Sequence, residues 1–166
     1  AYWNVTKLKS SPFFGAALHI GALMGGEIES AEGLKQIGHL YGEMIQIHDD
    51  LKDTMATPAN PDWTEKRSPL PILFAQSVDH PQRERFLQLR NATDDPIALE
   101  EAQAILIRCG AVSFCVDQLV QRHRLAREMI PTISLTYRDE VEEWINSQIV
   151  PIKNLFESVG VRVSLP

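Results

Sequence analysis

The chain has 166 residues, of which 44% are hydrophobic and 23% are charged, and its formal net charge is -6. These values are typical of a folded globular protein and exclude a disordered chain, and the length suffices to bury a core. The acidic balance argues against a nucleic-acid-binding protein, which usually carries a basic surface. No run of about 18 uninterrupted apolar residues occurs, so no transmembrane segment is expected. We predict one domain over residues 1–166.

The first residues and the two cysteines indicate the cellular setting. The chain does not begin with a charged region followed by an apolar one, so no signal peptide is predicted. Cys109 and Cys115 do not have the tight pairing of zinc motifs, and we predict two buried thiols in a reducing cytoplasm. Because the chain starts at Ala1 and already reads as part of a fold there, we expect a processed piece of a longer protein.

A helix of small and apolar residues is predicted near the start. Ser11 provides a hydroxyl cap, and Pro12 follows at a position where its missing N–H has no cost. Residues 13–24 are apolar nearly all round, which is typical of a buried central helix. Gly25 is expected to end it.

A second helix is predicted to begin after Ser30, and it carries an acidic cluster near its C-terminal end. Pro58 and Pro61 cannot continue a helix, so residues 54–68 are predicted to form a mobile loop. Pro69 and the two residues after it begin a short helix.

The rest of the chain has the pattern of a helical scaffold. Strand alternation and internal repeats are absent from the sequence, and the prediction is an all-α helical bundle. Residues 157–166 are expected to form a tail. The further predicted helices are Asp79–Asn91, Asp95–Gly110, Ala111–Ile130 and Tyr137–Phe156, the last of which Pro151 should kink or split.

The acidic cluster lies within the stretch from Gln46 to Asp53. On a helix, Asp49 and Asp53 stack one turn apart, and Gln46, Asp50 and Asp53 form a second row. Like charges this close are destabilising unless a cation lies between them, and the helix dipole disfavours anions at this end. Oxygen ligands in this pattern suit Mg²⁺, which shares its coordination with water and substrate phosphates. The alternative is a solvated acidic helix end.

Basic residues on both sides of the acidic cluster are candidates for binding a phosphate group. Lys9 precedes the first predicted helix, and Lys66 and Arg67 end the predicted loop. Basic residues on a loop close to carboxylates could clamp a diphosphate. Solvated surface charge and an ordinary surface loop remain the alternatives.

The order of these features resembles the C-terminal half of an all-trans polyprenyl diphosphate synthase, a class I isoprenoid synthase. The stretch from Gln46 to Asp53 resembles the second aspartate-rich motif of that family. The other matching motifs are Lys9-Ser10, Gly38-His39-Leu40-Tyr41-Gly42, Asp62 with Lys66-Arg67 and Leu70-Pro71, and Gly110-Ala111.

The resemblance implies a head-to-tail prenyltransferase. In such an enzyme, Mg²⁺ ions join two aspartate-rich motifs to the diphosphate of an allylic substrate, and isopentenyl diphosphate attacks the allylic cation. By matching position, Asp49 and Asp53 would hold metal, and Asp50 would be a ligand or would support one. Gln46 would line the site. The residues expected to contact the diphosphate are Lys9, Lys66 and Arg67.

The sequence also departs from the family pattern. It contains no second DDxxD motif, so we expect a companion chain or a missing N-terminal half to supply one, an oligomeric assembly and an exposed apolar face. Lys66 stands where the family has glycine, and Arg67 where it has lysine. Two alternatives remain open: a non-catalytic helical partner that regulates or scaffolds an active synthase, and a helical domain whose acidic cluster has no function.

Overall fold

The computed structural model describes residues 2–152, and within that range the regular structure is helical, with no β-strand. This confirms the predicted all-α class. Short 3₁₀ helices occupy Ile28–Ser30 and Ile130–Thr132. The α-helices are α1 (Tyr2–Lys9), α2 (Ser11–Met24), α3 (Ala31–Thr54), α4 (Pro61–Thr64), α5 (Leu70–Ser77), α6 (Arg83–Leu89), α7 (Pro96–Arg108), α8 (Ala111–Met129) and α9 (Arg138–Ser147).

Prolines, glycines and capping side chains set several helix ends as the sequence predicts. Helix α2 has Pro12 in its first turn and ends before Gly25. Helix α7 begins at Pro96, and the Asp95 carboxylate accepts a hydrogen bond from the Ile97 N–H at 3.0 Å. These caps satisfy backbone groups that have no partner inside the helix.

The last predicted helix is split near Pro151, as one of the two predicted outcomes has it. Helix α9 ends at Ser147, a turn occupies residues 148–149, and helical conformation resumes at residues 150–152. The remaining predicted helical residues, 153–156, and the predicted tail 157–166 lie outside the described residues.

Two predictions about the start of the chain are wrong. Ser11 does not cap α2; its hydroxyl donates to the His39 carbonyl at 2.9 Å. Helix α2 is also not buried all round, because Phe13 is 71% and Met24 is 85% exposed. One face of α2 packs through small residues and through Phe14, whose ring meets that of Tyr41 at a centroid distance of 4.9 Å. The exposed large apolar side chains of α2 are Phe13, Ile20, Leu23 and Met24.

The chain divides into two compact units. The first unit comprises residues 1–46 and 118–166, and the second unit comprises residues 47–117. Helices α3 and α8 each contribute residues to both units. The single domain expected from chain length stays a prediction.

In the first unit, glycines allow α2 and α3 to approach closely. A Cβ at Gly38 would lie 2.5 Å from the Phe14 carbonyl oxygen, and one at Gly42 would lie 2.7 Å from the Ser11 Cα. Tyr41 stacks on Trp144 of α9 with ring centroids 4.1 Å apart. The two glycines thus let the backbones of α2 and α3 come close together, and the ring stack joins α3 to α9.

A second contact in the first unit involves three helices. The Arg122 guanidinium donates to the Glu43 carboxylate at 2.9 Å and lies 3.9 Å from the centre of the Trp3 ring. A half-buried pair combined with a cation–π contact is stronger than an exposed ion pair. It connects α8, α3 and α1.

The second unit has its own hydrophobic core. Trp63 and Phe86 are fully buried and meet edge to face, with ring centroids 6.1 Å apart. Further buried members of this cluster are Ile72, Ala75, Leu89, Ala98, Leu99, Ala102, Ile105, Leu106 and Ala111.

Within residues 2–152, no single helix is long and apolar enough to cross a membrane. Only the consecutive segments Pro96–Arg108 and Ala111–Thr132, taken together across a 55° bend, reach that length and composition.

We predict that Gly38→Ala destabilises the protein, because the new methyl group would overlap the Phe14 carbonyl. The expected loss is about 1–3 kcal/mol of unfolding free energy, typical of overpacking. Gly21→Ala in α2 is the control, since nothing lies within 4 Å of a Cβ there, and it should stabilise by about 0.5–1 kcal/mol. Urea unfolding measures both, and equal effects would contradict the close approach of α2 and α3.

His123 leads to a prediction about pH. It is fully buried and lies 2.9 Å from Asn146 Oδ1 through Nε2, and burial lowers the pKa of His123 although the Asn146 hydrogen bond opposes that shift. The unfolded chain therefore takes up this proton at a higher pH, near 6.5. Stability should be complete above that value and should fall as pH drops through the lowered pKa. We expect the melting temperature of His123→Gln to fall less between pH 7.5 and 5.5 than that of the wild type; identical slopes would contradict this.

Candidate functional site

The three aspartates of α3 differ in their exposure. Asp49 and Asp53 lie on the exposed side of the last turns of α3, whereas Asp50 is 5% exposed. The helical spacing predicted from the sequence is confirmed, since α3 extends to Thr54. The roles predicted for the three carboxylates stay predictions.

Asp50 binds the start of another helix. Its Oδ2 accepts a hydrogen bond from the Leu70 N–H at 2.7 Å, and Leu70 is the first residue of α5. That N–H has no partner inside α5, and a carboxylate is favoured at a helix N-terminus. A buried carboxylate needs hydrogen bonds to offset the loss of solvation, so Asp50 supports the local structure.

Asp49 and Asp53 have no ion-pair or hydrogen-bond partner among residues 2–152. Across those same residues, no group of three or more His, Cys, Asp or Glu side chains is arranged to hold a metal ion. The metal role of the three aspartates stays a prediction. Two exposed carboxylates remain, and Mg²⁺ commonly uses one or two together with water and phosphate oxygens.

The segment after α3 contains the short helix α4, which the loop predicted from its prolines did not include, and side chains bind it to the end of α3. Its mobility stays a prediction. The indole N–H of Trp63 donates to the Thr54 carbonyl at 2.9 Å. The side-chain amide of Gln103 donates to the carbonyls of Thr54 at 3.1 Å and Ala56 at 2.9 Å. These donors satisfy carbonyls at the end of α3 and fix the part of the helix that bears the aspartates.

Sequence reasoning overlooked Trp63 and Gln103. A tryptophan within a polar, proline-rich stretch was a signal that the segment has a buried anchor. Nothing in the sequence pointed to Gln103, because its contact is made 49 residues away along the chain.

Lys66 and Arg67 lie at the end of this segment with different contacts. The Lys66 ammonium donates to Asn91 Oδ1 at 2.9 Å. Arg67 forms an ion pair with Glu65 at 2.7 Å, and its Nη1 lies 3.9 Å from the Asp62 carboxylate. The Arg67 side chain is 58% exposed, so its ion pairs are weak and can exchange for a bound anion.

Lys9 and Gln46 belong to the first unit. Lys9 is the exposed last residue of α1 and makes no ion pair or hydrogen bond within the described range. The hydroxyl of Ser10 donates to Gln46 Oε1 at 2.8 Å. The predicted Lys-Ser motif and the predicted Gln are thus joined through Ser10.

Comparison with known proteins assigns the chain to a family. Residues 1–106 match the model of the polyprenyl synthetase family, which is more than half of the chain. The chain belongs to the polyprenyl synthetase family. The family predicted from the motifs is therefore confirmed.

Two relatives are similar over most of this chain. The all-trans-nonaprenyl-diphosphate synthase (geranyl-diphosphate specific) of Rhodobacter capsulatus is 26% identical over 146 residues, covering 82% of this chain and 44% of that protein. The nonaprenyl diphosphate synthase of Mycobacterium tuberculosis is 29% identical over 138 residues, covering 75% and 41%. The chain spans less than half the length of these relatives. No solved structure matches it.

Lys66 of this polyprenyl synthetase chain has a backbone conformation that glycine favours. Lys66, at the position that resembles the family's glycine, has φ 55°. This is the left-handed region, which glycine enters without steric cost and other residues enter at a cost of about 1–2 kcal/mol. The lysine therefore keeps the turn that a glycine would favour.

Cys115 is a buried neighbour of the acidic helix. Burial, followed by the charge of Asp50, raises the pKa of the Cys115 thiol to about 12. Cys115 is buried as predicted, whereas Cys109 is only half-buried, and both thiols are free. At neutral pH the Cys115 thiol is protonated and is a poor nucleophile.

The first unit also contains a cleft of about 470 Å³. None of the predicted site residues lines it. Its lining residues are Ser11, Gln36, His39, Leu40, Glu43, Leu125 and Met129.

We predict that Asp50→Ala and Asp49→Ala differ in stability. Asp50→Ala removes the cap of α5 and should lower the unfolding free energy by about 1–3 kcal/mol. Asp49→Ala removes an exposed anion near a helix C-terminus and should stay within about 0.5 kcal/mol of the wild type. Urea unfolding measures the difference; equal losses would contradict the assignment of Asp50 as a structural group.

Proposed function

We propose that this chain forms the second-motif side of a head-to-tail prenyltransferase. Its substrates would be an allylic isoprenoid diphosphate and isopentenyl diphosphate. The allylic C–O bond breaks, the diphosphate leaves with the electron pair, and the double bond of isopentenyl diphosphate attacks the allylic carbon. A proton is then lost to give the longer allylic product.

The observation that carries this proposal is the exposed pair Asp49 and Asp53 on α3 of a polyprenyl synthetase chain. Exposed carboxylates at a helix C-terminus are unfavourable for the isolated fold. Their position is nevertheless fixed by Asp50, whose hydrogen bond to Leu70 holds the same helical turns. A fixed pair of carboxylates with no ion-pair partner among residues 2–152 is suited to bind a metal ion.

The donor set fits Mg²⁺. The carboxylates of Asp49 and Asp53 are hard oxygen donors, and two of them leave room for water and diphosphate oxygens. Asp50 is proposed to support them from the buried side rather than to replace one of them. Bound Mg²⁺ would neutralise charge on the leaving diphosphate.

Basic side chains supply the remaining electrostatic stabilisation. Arg67 is exposed and can exchange its ion pairs with Glu65 and Asp62 for two hydrogen bonds to a phosphate. We infer the same role for Lys9, whose ammonium makes no ion pair in the described part of the chain. Lys66 is bound to Asn91 and would act chiefly through its charge. Groups of this kind lower the barrier by stabilising negative charge that develops on the leaving group.

The apolar surface of the first unit supports the need for a companion. Large apolar side chains are exposed along α1 and α2, more than the scattered few of a typical monomer surface. We propose that a companion polypeptide with its own DDxxD motif covers them, either as another chain or as a further part of the same protein. The exposed residues are Val5, Leu8, Phe13, Ile20, Leu23, Met24 and Ile28.

A second candidate function is a non-catalytic partner that regulates or scaffolds an active synthase. The same exposed apolar surface favours it, together with the lack of a second DDxxD motif in the sequence. The two candidates differ in whether Asp49 and Asp53 matter for catalysis.

We predict that the chain binds inorganic pyrophosphate in a Mg²⁺-dependent manner. The double variant Asp49→Ala/Asp53→Ala should weaken this binding about tenfold or more, equivalent to about 1.4 kcal/mol or more. Isothermal titration with and without Mg²⁺ measures it. Asp79→Ala/Asp94→Ala is the matched control, because these two aspartates are exposed carboxylates of the same unit. Equal affinities for all three proteins would contradict a metal role for the α3 aspartates.

Catalysis is tested in the assembled state. The chain is mixed with a companion that carries a DDxxD motif, Mg²⁺, an allylic diphosphate and labelled isopentenyl diphosphate. Loss of product with Asp49→Ala/Asp53→Ala supports the prenyltransferase. Undiminished product formation with that variant favours the non-catalytic partner.

A further inference from the structure

Arg90, which follows the last residue of α6, contacts the segment that carries the two basic residues. Its Nη2 donates to the Lys66 carbonyl at 2.6 Å, to the Arg67 carbonyl and to the Ser68 hydroxyl at 3.3 Å. Hydrogen bonds from a guanidinium are charge-assisted and stronger than neutral ones. One side chain thus binds three consecutive residues from 22 to 24 positions away in sequence.

The backbone of this segment needs such support. Lys66 has φ 55°, a conformation that costs a residue with a Cβ free energy relative to glycine. A strained backbone persists only when the surroundings hold it. Arg90 binds the carbonyl of the strained Lys66 and the carbonyl of the following Arg67.

A second anchor comes from the next residue of the chain. Asn91 accepts the hydrogen bond from the Lys66 ammonium at 2.9 Å, and its own amide donates to the Leu87 carbonyl at 3.2 Å. The Lys66 side chain is therefore directed to Asn91, just beyond the end of α6. The Arg67 side chain is 58% exposed and forms ion pairs with Glu65 and with the less exposed Asp62.

We propose that Arg90 is a positioning residue, which holds residues 66–68 in the turn that presents Arg67 to the diphosphate. This inference rests on the proposed function. It also divides the roles of the basic pair, because Lys66 anchors the turn whereas Arg67 binds the phosphate. Arg90 itself acts through the backbone and does not contact the substrate.

The first test measures the stability of the turn at residues 66–68 by amide hydrogen exchange, without a ligand. The Lys66 N–H donates to the Trp63 carbonyl at 3.2 Å, and the Leu70 N–H donates to Asp50. In Arg90→Ala, we expect hydrogen exchange at these two amides to accelerate about tenfold or more, while amides of α7 are unchanged. Arg85→Ala is the control, because Arg85 lies in α6, five residues before Arg90, and pairs with Glu101 instead. Unchanged exchange at both amides would overturn the proposal.

The second test measures whether Arg90 and Arg67 contribute to pyrophosphate binding independently of each other. Arg90→Ala and Arg67→Ala should each weaken Mg²⁺-dependent pyrophosphate binding about tenfold, and the double variant should be no weaker than Arg67→Ala alone. Arg85→Ala should bind like the wild type. Additive losses would show that Arg90 acts independently of Arg67 and would overturn the proposal.

The outcomes also separate this inference from the proposed function. A wild-type chain that does not bind pyrophosphate with Mg²⁺ would contradict both. A wild type that binds and loses affinity with Arg67→Ala, but not with Arg90→Ala, would contradict the positioning role alone.

Discussion

The structure of the second unit depends on the buried hydrogen bond between the Asp50 carboxylate and the Leu70 amide. A carboxylate that is 5% exposed is stable only with donors that offset its desolvation, and the start of α5 supplies one at 2.7 Å. This contact ties the end of α3 to a helix that begins 20 residues later. The segment between Asp50 and Leu70 must therefore form a loop with both ends held together. Within it, the Trp63 indole N–H donates a hydrogen bond to the Thr54 carbonyl.

The same contact fixes the orientation of the acidic helix. Successive residues of an α-helix are rotated by about 100°, so turning Asp50 inward directs Asp49 away from the core. Asp49 and Asp53 are one turn apart and lie on a shared side. One buried carboxylate thus sets where two exposed ones lie. Helix geometry therefore places three identical side chains in two environments: Asp50 is buried, and Asp49 and Asp53 are exposed.

Features set by neighbouring residues could be predicted from the sequence. The start of α7 at Asp95 and Pro96 is one such case, because capping and the fixed φ of proline act within one turn. Features set by distant residues could not be predicted. The exposure of Phe13 depends on what packs against α2, and an apolar sequence does not specify whether a partner is present.

The candidate site divides in the same way. The spacing of Asp49 and Asp53 is local, and the sequence was sufficient to place both on one side of a helix. The burial of Asp50 and the anchoring of Lys66 each need a contact across 20 or more residues. Helical periodicity shows which residues share a face, but it does not show which of two adjacent aspartates points to the core.

The left-handed backbone at Lys66 makes the conformation of this turn depend on contacts from other residues. A glycine at φ 55° would hold this turn without strain, whereas lysine adds a steric cost of about 1–2 kcal/mol. In this chain the turn is held by Arg90 through two carbonyls and by Asn91 through the lysine ammonium. The conformation of the basic segment therefore depends on Arg90 and Asn91, the two residues that follow α6. A lysine at position 66 is compatible with this turn only while both of these side chains are kept.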